Sequence, residues 1–456
     1  MCGFSSIISL SSKKISEPDL IKMSESMIGR GPDSKGTFVS VDHKIGLAIR
    51  RLSTQDPSRS ADQPVFSFDR KVVVVFNGEI YNHQDLRKEL KNSGYKFISN
   101  NDAEVLANGI HKYGSKILDK IKGQFAFLSY DRQKEKIFAA RDKLGICPFY
   151  YSIRENKIFM SSTIFSLKLL FNLKFHKNAL VDFFVSDAVS NGKTFYENIN
   201  YLEPGHYFEF KKGQQPKKFS FLEKLNDYPL NLSKNQIKRF IKNNIESNLD
   251  SCLKGDKKVC TYLSGGLDSM LLTYLIKENY KNFTFKTFTV CFNNEFEKFS
   301  SGESHLNKKF LNQNNINNET CYLNHHDLKK EMGLFDQPIA SFIEIAIKQL
   351  SLRAKKSGFN VALSGEGADE AFVGYDHYFA LLGNLDKKYK YLLKNYQLRS
   401  NFYKSLNRNI LLEDIFLGGG ANIDLNKNLK NLFISSKIDF NNYKKYFRKI
   451  CSSIKK

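Results

Sequence analysis

The sequence has no apolar run approaching the ~18 residues that a membrane-spanning helix requires. Its start, Met1–Leu10, lacks the basic opening, apolar centre and cleavage site of a secretion signal. A soluble, cytoplasmic chain with no membrane partner is therefore expected. Paired cysteines are missing as well: the seven, at positions 2, 147, 252, 260, 291, 321 and 451, are odd in number and scattered, with no Cys-x-x-Cys pair and no zinc-ligand spacing. Free thiols and no structural metal are expected. There is no internal repeat and no long low-complexity tract. The composition that remains, 41% hydrophobic, 26% charged and 13% aromatic, excludes a disordered, collagen-like or fibrous chain. At 456 residues there is room for two to four domains of about 100–200 residues each.

Acidic residues are in deficit, leaving a net charge of +23. Of this, +11 falls in Phe379–Lys456, where 16 Lys/Arg face 5 Asp/Glu. Such a bias can mark nucleic-acid binding. Here Lys, Asn, Ile and Phe are abundant together, as an AT-biased genome would make them, and Lys outweighs the Arg that bidentate phosphate or base recognition favours. A solvated basic surface is the expected reading, and nucleic acid is not an expected partner.

Short alternating strands broken by Gly, Asn and Asp dominate the first part, with strands expected at Gly46–Leu52, Lys71–Phe76, Gln124–Asp131 and Glu135–Ala140 and helices at His83–Ser93 and Glu104–Tyr113. That is an α+β domain. Tyr201–Phe210 adds a strand pair, and Lys211–Phe219 reads as a linker, which places a boundary near residue 215. Beyond it, helices and strands alternate: Gln236–Cys252, Lys258–Leu263, Met270–Tyr280, Phe285–Phe292, Ile343–Ser357 and Asn360–Leu363. Alternation of that kind implies parallel strands joined by crossover helices. The expected domains are 1–215 and 225–456.

Residue two is a cysteine, and loss of Met1 would leave Cys2 with a thiol and a free α-amine. One residue would then supply both nucleophile and base, since an α-amine titrates near pKa ~7.7–8.0. After the apolar run Val72–Phe76 comes Asn77-Gly78-Glu79-Ile80-Tyr81-Asn82, in which the Asn77 amide and the Gly78 N–H can form an oxyanion hole, or else a simple hairpin turn. Arg51, in Arg51-Leu52-Ser53-Thr54, and Asp102, in Asn101-Asp102-Ala103-Glu104, could hold an amino acid's carboxylate and amine, or serve as ion pair and helix cap.

Together with Arg30-Gly31-Pro32-Asp33 and Arg141-Asp142-Lys143-Leu144-Gly145, these segments resemble the class II glutamine amidotransferases, a family of N-terminal nucleophile hydrolases. The resemblance implies that Cys2 attacks glutamine's side-chain amide, that Asn77 and Gly78 steady the oxyanion, and that Arg51, Leu52, Glu79 and Asp102 join Asn77 and Gly78 in binding glutamine. Ile49 stands where many members carry His.

The second half carries Ser264-Gly265-Gly266-Leu267-Asp268-Ser269 between an expected strand and helix, where N–H donors and the helix's positive end can cradle phosphate. This string resembles the pyrophosphate loop of ATP pyrophosphatases. Its counterpart is Ser364-Gly365-Glu366-Gly367-Ala368-Asp369-Glu370, whose acidic side chains after a strand call for a cation, so Asp268 and Asp369 are the candidates for Mg²⁺ on the ATP phosphates. The two motif sets together resemble glutamine-hydrolysing asparagine synthetase from Met1 to about Gly420. By that resemblance Ser264, Gly265, Gly266, Asp268 and Ser269 grip pyrophosphate, Val290 lies by adenine, and Ser364, Gly365 and Glu366 line the acyl-adenylate site, with ATP and Mg²⁺ required. The implied reaction joins glutamine's nitrogen to aspartate. A sugar-carboxylate acceptor, or a glutaminase or scaffold remnant without ligase activity, are the alternatives. The family's Arg-x-Pro-Phe-Leu-Asp element and adenylate-contacting Lys are not found, so the second domain is expected to lack its C-terminal part and to be completed by a second copy or a separate polypeptide.

Overall fold

A computed structural model describes residues 1–186, 188–189, 192–223, 231–253, 258–280, 285–292, 303–323, 331, 335–339, 343–372, 374–375, 378 and 391. Apart from Tyr391, the basic stretch Phe379–Lys456, including the segment around Phe416–Gly420, lies outside them. The chain forms two compact units, Met1–Leu173 with Asn198–Val259, and Lys174–Glu197 with the described residues from Cys260 onward.

The first unit is built on two six-stranded sheets. One contains β1 (Gly3–Ser9), β2 (Ser34–Val39), β3 (Ile45–Arg51), β8 (Tyr150–Arg154), β9 (Lys157–Ser161) and β10 (Asn200–Tyr201), in the order β10-β8-β9-β1-β3-β2. The other contains β4 (Val65–Phe66), β5 (Val72–Ile80), β6 (Gly123–Asp131), β7 (Lys136–Arg141), β11 (His206–Lys211) and β12 (Lys217–Ser220), in the order β12-β11-β7-β6-β5-β4. All their pairings are antiparallel.

Side-chain alternation along each strand sorts residues between layers. In β5, Val73 and Val75 enter the core between the sheets, while Val72, Val74 and Phe76 pack in a second core with Leu86 and Leu90 of α2 (His83–Asn92) and Val105, Leu106 and Ile110 of α3 (Asp102–Tyr113). This explains the unbroken valine run: the strand is buried on both faces. In β1, Phe4 and Ile8 face the inner core, and a Cβ on Gly3 would stand 2.9 Å from Met27, just beyond α1 (Glu17–Glu25). The result is an α-β-β-α sandwich, in line with the α+β class expected for the first part of the chain.

One alternative and one expectation fail. Asn77 and Gly78 are inside β5, paired with Ala126 and Phe125 of β6, so they form no hairpin turn. Lys211–Phe219 is no linker: it turns at Gly213 (φ +81°) and returns as β12, where Phe219 pairs with Tyr207 and stacks on its ring at 5.2 Å. A glycine in the left-handed region permits that tight reversal.

The second unit has a four-stranded sheet, β15-β14-β13-β16, made of β13 (Val259–Tyr262), β14 (Lys286–Phe292), β15 (Asn318–Leu323) and β16 (Val361–Leu363). β13/β14 and β14/β15 run parallel. Its core joins Cys260, Phe288, Cys321 and Leu323 to Ile345, Ala346, Leu350 and Ala354 of the helix Ile343–Lys356. Among the described residues no helix is long and apolar enough to cross a membrane.

Candidate active site

Cys2 immediately precedes β1 and shares the inner-core face with Phe4; it is 9% exposed. Burial pushes its thiol above the usual range, opposed by the Leu52 backbone. That backbone brackets the sulfur: the Leu52 N–H donates to Sγ at 3.4 Å, and Sγ lies 3.8 Å from the Leu52 carbonyl oxygen. A thiol so held is poorly ionised alone and needs a base to become a nucleophile.

Asn77 follows the same alternation from Val73 and Val75, so its amide enters the inner layer from the opposite sheet. It is fully buried, and neither Nδ2 nor Oδ1 has a hydrogen-bond partner. A buried amide left unpaired is costly unless a ligand completes it. Gly78 next to it has φ +150°, and a Cβ there would stand 2.1 Å from the Gln124 carbonyl oxygen. Only glycine fits. Preceding both, Phe76 is clamped by Gln63, whose Oε1 accepts from the Phe76 N–H at 2.7 Å while Nε2 donates to the Phe76 carbonyl at 3.1 Å. This side chain imitates a neighbouring strand and fixes the segment that leads into Asn77 and Gly78.

Arg51, Leu52, Gly78 and Asp102 line one small pocket with Cys2, together with Thr54, Gln55, Gln63, Phe76 and Asn101. Arg51 is 2% exposed and donates to Asp62 Oδ1 at 3.1 Å and to the carbonyls of Gln55 at 2.9 Å and Asp56 at 2.6 Å. Asp102, opening α3 behind an Asn101 cap, accepts from the Ile80 N–H at 2.9 Å. Burial pushes its carboxyl up to about 6, against that hydrogen bond and the charge of Arg51. A buried guanidinium and a buried carboxyl therefore bound the thiol's pocket, as recognition of a zwitterion requires. Glu79 does not line this pocket; its carboxylate accepts from Nε2 of Gln55, which does, at 2.8 Å.

The other N-terminal motifs are scaffolding. Arg30 Nε donates to the Cys2 carbonyl at 3.0 Å, and Asp33 Oδ2 accepts from the Ser53 N–H at 2.7 Å. Gly31 lies against the Arg50–Arg51 backbone, where a Cβ would stand 2.2 Å away. In Arg141–Gly145, Asp142 accepts from the N–H groups of Phe125, Leu144, Ile146 and Cys147, while Arg141 donates to the carbonyls of Cys147, Leu202 and Gly145.

In the second unit, Ser264–Ser269 links β13 to the helix Leu267–Asn279. Gly265 adopts φ +98°, and Gly266 caps the helix without a side-chain bond, leaving its first N–H groups for a ligand. Ser264 Oγ and Ser269 Oγ are 3.0 Å apart, and Ser264 Oγ accepts from the Gly266 N–H at 3.1 Å. The loop after β16 packs on this one: a Cβ on Gly365 would stand 2.8 Å from Ser269 N and 3.1 Å from Asp268 Cβ. β13 and β16 are neighbours at the point where strand order reverses, the usual ligand position in an open α/β sheet. Val290, near the end of β14, packs on the sheet core. Ser364 and Glu366 are exposed, and Asp268 and Asp369 are half-buried with no ion pair among the described residues. Two hard carboxylates suit Mg²⁺ that takes its remaining ligands from phosphate and water. Among the described residues no group of three or more His, Cys, Asp or Glu could hold a metal by itself.

Residues 1–220 match the family described as glutamine amidotransferase domain, and residues 241–419 the family described as asparagine synthase. The chain belongs to the asparagine synthetase family. It is 32% identical to glutamine-hydrolysing asparagine synthetase 1 of Bacillus subtilis strain 168 over 83% of this chain and 59% of that protein. It is 30% identical to the second such synthetase of the same organism, over 82% and 52%, and 27% identical to amidase chry2 of Gibberella zeae, over 77% and 54%. The chain thus spans a little over half the length of these relatives. In this asparagine synthetase family member Ile49 is fully buried in the inner core and paired with Phe4 and Gly36, a setting apolar in character. Sequence reasoning missed Gln63 and Gln55, and only their distant partners Phe76 and Glu79 give them roles; neither has a local signal beyond a polar residue near a Pro or Asp.

Proposed function

We propose that this chain is a glutamine-dependent amide-forming ligase with aspartate as acceptor. The observation that carries the reading is the pocket in which Cys2, Arg51, Gly78 and Asp102 meet, in a chain that also packs Gly365 against the Asp268–Ser269 loop. Arg51 and Asp102, with Glu79, hold the carboxylate and ammonium of glutamine, which brings its side-chain amide to Cys2. With Met1 removed, the Cys2 α-amine takes the thiol proton as sulfur bonds to the amide carbon. The Asn77 amide and the Gly78 N–H stabilise the oxyanion, which repays the unpaired burial of Asn77. The returning proton releases ammonia, and water cleaves the glutamyl thioester to glutamate and free thiol.

In the second unit, Ser264, Gly265, Gly266 and Ser269 bind the pyrophosphate of ATP at the helix start, with Val290 by the adenine and Ser364, Gly365 and Glu366 around the activated acid. Asp268 and Asp369 would hold Mg²⁺, which would screen the phosphate charge. The acceptor carboxylate displaces pyrophosphate from the α-phosphorus, and ammonia then displaces AMP from the acyl carbon. Dependence on ATP and glutamine supports a cytoplasmic location.

The test is incubation with ATP, Mg²⁺, glutamine and aspartate, which should yield asparagine, AMP, pyrophosphate and glutamate. Cys2→Ala should lose glutamine use and retain ligation with ammonium salts, whereas Asp268→Ala should lose pyrophosphate release and retain glutaminase. Pyrophosphate release with a uronic acid and none with aspartate would move the acceptor to sugar carboxylates, and absence of every product would refute the reading.

A further inference from the structure

The first unit has a second opening, at the end of the sandwich away from Cys2. β1 leads from the thiol to Ser9, whose N–H donates to the Lys44 carbonyl in the β2–β3 turn, so about 20 Å of strand separates the two ends. There the β2–β3 turn, the β4–β5 turn and the β6–β7 turn frame a cleft of about 550 Å³, within the size range of small-molecule sites. Every residue that lines it belongs to the first unit.

The second sheet presents β5, β6, β7 and β11 to this cleft in that order, and the charges are sorted along it. On the β5 side stand Arg70, Lys71 and Arg132. Lys71 pairs with Asp69 at 3.2 Å. The Arg70 guanidinium lies 4.3 Å from the centre of the Phe66 ring, and that of Arg132 lies 6.0 Å from the Phe38 ring while its Nη1 donates to the Arg70 carbonyl at 3.1 Å. Neither arginine has an ion pair among the described residues. On the β11 side, Lys212 is already neutralised, by Asp42 at 2.9 Å and by Glu135. Arg70 is held at φ +59° and Glu135 at φ +50°, left-handed turn positions where glycine would be unstrained. Such outliers persist where the side chain has a use.

Between the two ends lies Tyr130. It is 4% exposed, its ring packs in the inner core, and it lines the cleft, facing Lys212, Glu135, Asp42 and Arg132. Among the described residues its hydroxyl has no hydrogen-bond partner, and burial pushes it above its usual range, so it stays a neutral donor and acceptor. We propose that this cleft binds a small phosphate ester of a polyhydroxylated compound, of the sugar-phosphate class, with the phosphate on Arg70 and Arg132 and the hydroxyls on Tyr130, Glu135 and Asp42. Two guanidinium forks without a carboxylate partner match phosphate oxygens. The opposite end, where an ammonium and two carboxylates already balance, takes neutral hydroxyls in preference to a further charge. The site is separate from the glutamine and ATP chemistry above and does not depend on it.

Calorimetric titration of the full-length chain with ribose 5-phosphate, inorganic phosphate and ribose tests the assignment. Ribose 5-phosphate should bind with a Kd of about 1 mM or tighter, at least about tenfold tighter than phosphate or ribose alone. Arg70→Gly removes a guanidinium and suits the left-handed turn, so its denaturation midpoint should be no lower than that of the wild type. It and Arg132→Gln should each weaken ribose 5-phosphate about tenfold. Tyr130→Phe keeps the ring in the core; it should weaken ribose 5-phosphate about fivefold and leave inorganic phosphate unchanged. Affinity unaltered in both arginine variants would place the ligand elsewhere and overturn the site. No binding at about 10 mM, or binding no tighter than that of inorganic phosphate, would overturn the ligand class. A single-stranded RNA oligonucleotide that binds the wild type, is lost in Arg70→Gly and is matched by no ribose 5-phosphate binding would overturn it in favour of a nucleic-acid face.

Discussion

Replacing Asp102 by Asn separates what this carboxyl costs the fold from what it does for a ligand. Its environment holds the carboxyl at about 6 against an ordinary 3.8, with burial as the largest cause. At 1.36 kcal/mol per pH unit, keeping it ionised above pH 6 costs the folded state about 3 kcal/mol. The sign follows from proton affinity. The folded protein binds this proton more tightly than the unfolded chain does, so stability falls as pH rises from about 4 to about 6 and then levels. The Asp102→Asn variant would carry no such dependence, while its amide oxygen keeps the acceptor role that Asp102 has toward the Ile80 N–H. Denaturant unfolding of both proteins at pH 4 and pH 8 therefore gives a double difference in which packing terms cancel. The variant should gain about 3 kcal/mol relative to wild type at pH 8 over whatever difference exists at pH 4. Glutamine hydrolysis should respond oppositely: losing one charge-assisted bond to the ammonium raises KM roughly tenfold to a hundredfold. In the wild type, kcat/KM should show a second, steeper fall below about pH 6, beneath the one set by the α-amine, with this step displaced to lower pH in the kcat profile because bound ammonium favours the ionised carboxylate. An equal stability difference at both pH values would refute the claim that Asp102 is a carboxyl held at strain.

Gly365→Ala should lower ATP–pyrophosphate exchange by about a hundredfold, because a methyl 2.8 Å from Ser269 N drives the two loops apart; glutaminase at wild-type rate would show that the damage is local, and undiminished exchange would refute the contact. Gln63→Ala should destabilise by about 2–4 kcal/mol, since it leaves the buried N–H and carbonyl of Phe76 unpaired. Denaturant titration checks the magnitude, and a loss below about 1 kcal/mol would contradict the strand-mimic account.

The sheets of the first unit were legible because β-branched and aromatic residues cluster between turn formers, as in Val72–Phe76 and Gln124–Asp131. The same signal could not end β5 correctly. Asn-Gly is the commonest two-residue turn, and nothing local says that this pair continues a strand whose glycine must lie against Gln124. Lys211–Phe219 misled for the converse reason: its Lys, Gln and Pro suggest solvent, and the pairing of Phe219 with Tyr207 is visible only once β11 is in place. Cys2, Asp102 and the two glycine loops could be singled out from the sequence because few other demands bring those residue types together; the fold puts Cys2 and Asp102 on one pocket and packs the two loops against each other. Arg30–Asp33 and Arg141–Gly145 were legible as motifs, and their work as backbone clamps was not, because their partners are carbonyls and N–H groups supplied by other strands.

The buried polar groups around Cys2 fall into two kinds, and the division argues for a site independently of any motif. Glu104 accepts from the N–H groups of Ile98 and Ser99 and from the Ser99 hydroxyl, Asp142 from four N–H groups, and Gln63 uses both ends of its amide. These stabilise the fold and need nothing more. Asn77 has a fully buried amide with neither atom paired, and Asp102 a carboxyl that burial alone pushes toward neutrality. A core built only for stability would replace both with apolar or smaller residues, since each costs on the order of a few kcal/mol. Their needs are opposite: Asn77 offers an unpaired N–H donor, and Asp102, although it accepts from the Ile80 N–H, ionises more readily beside a cation. A ligand with an ammonium at one end and a carbonyl that gains negative charge at the other meets both, and the thiol of Cys2 lies in the pocket that Asp102 lines.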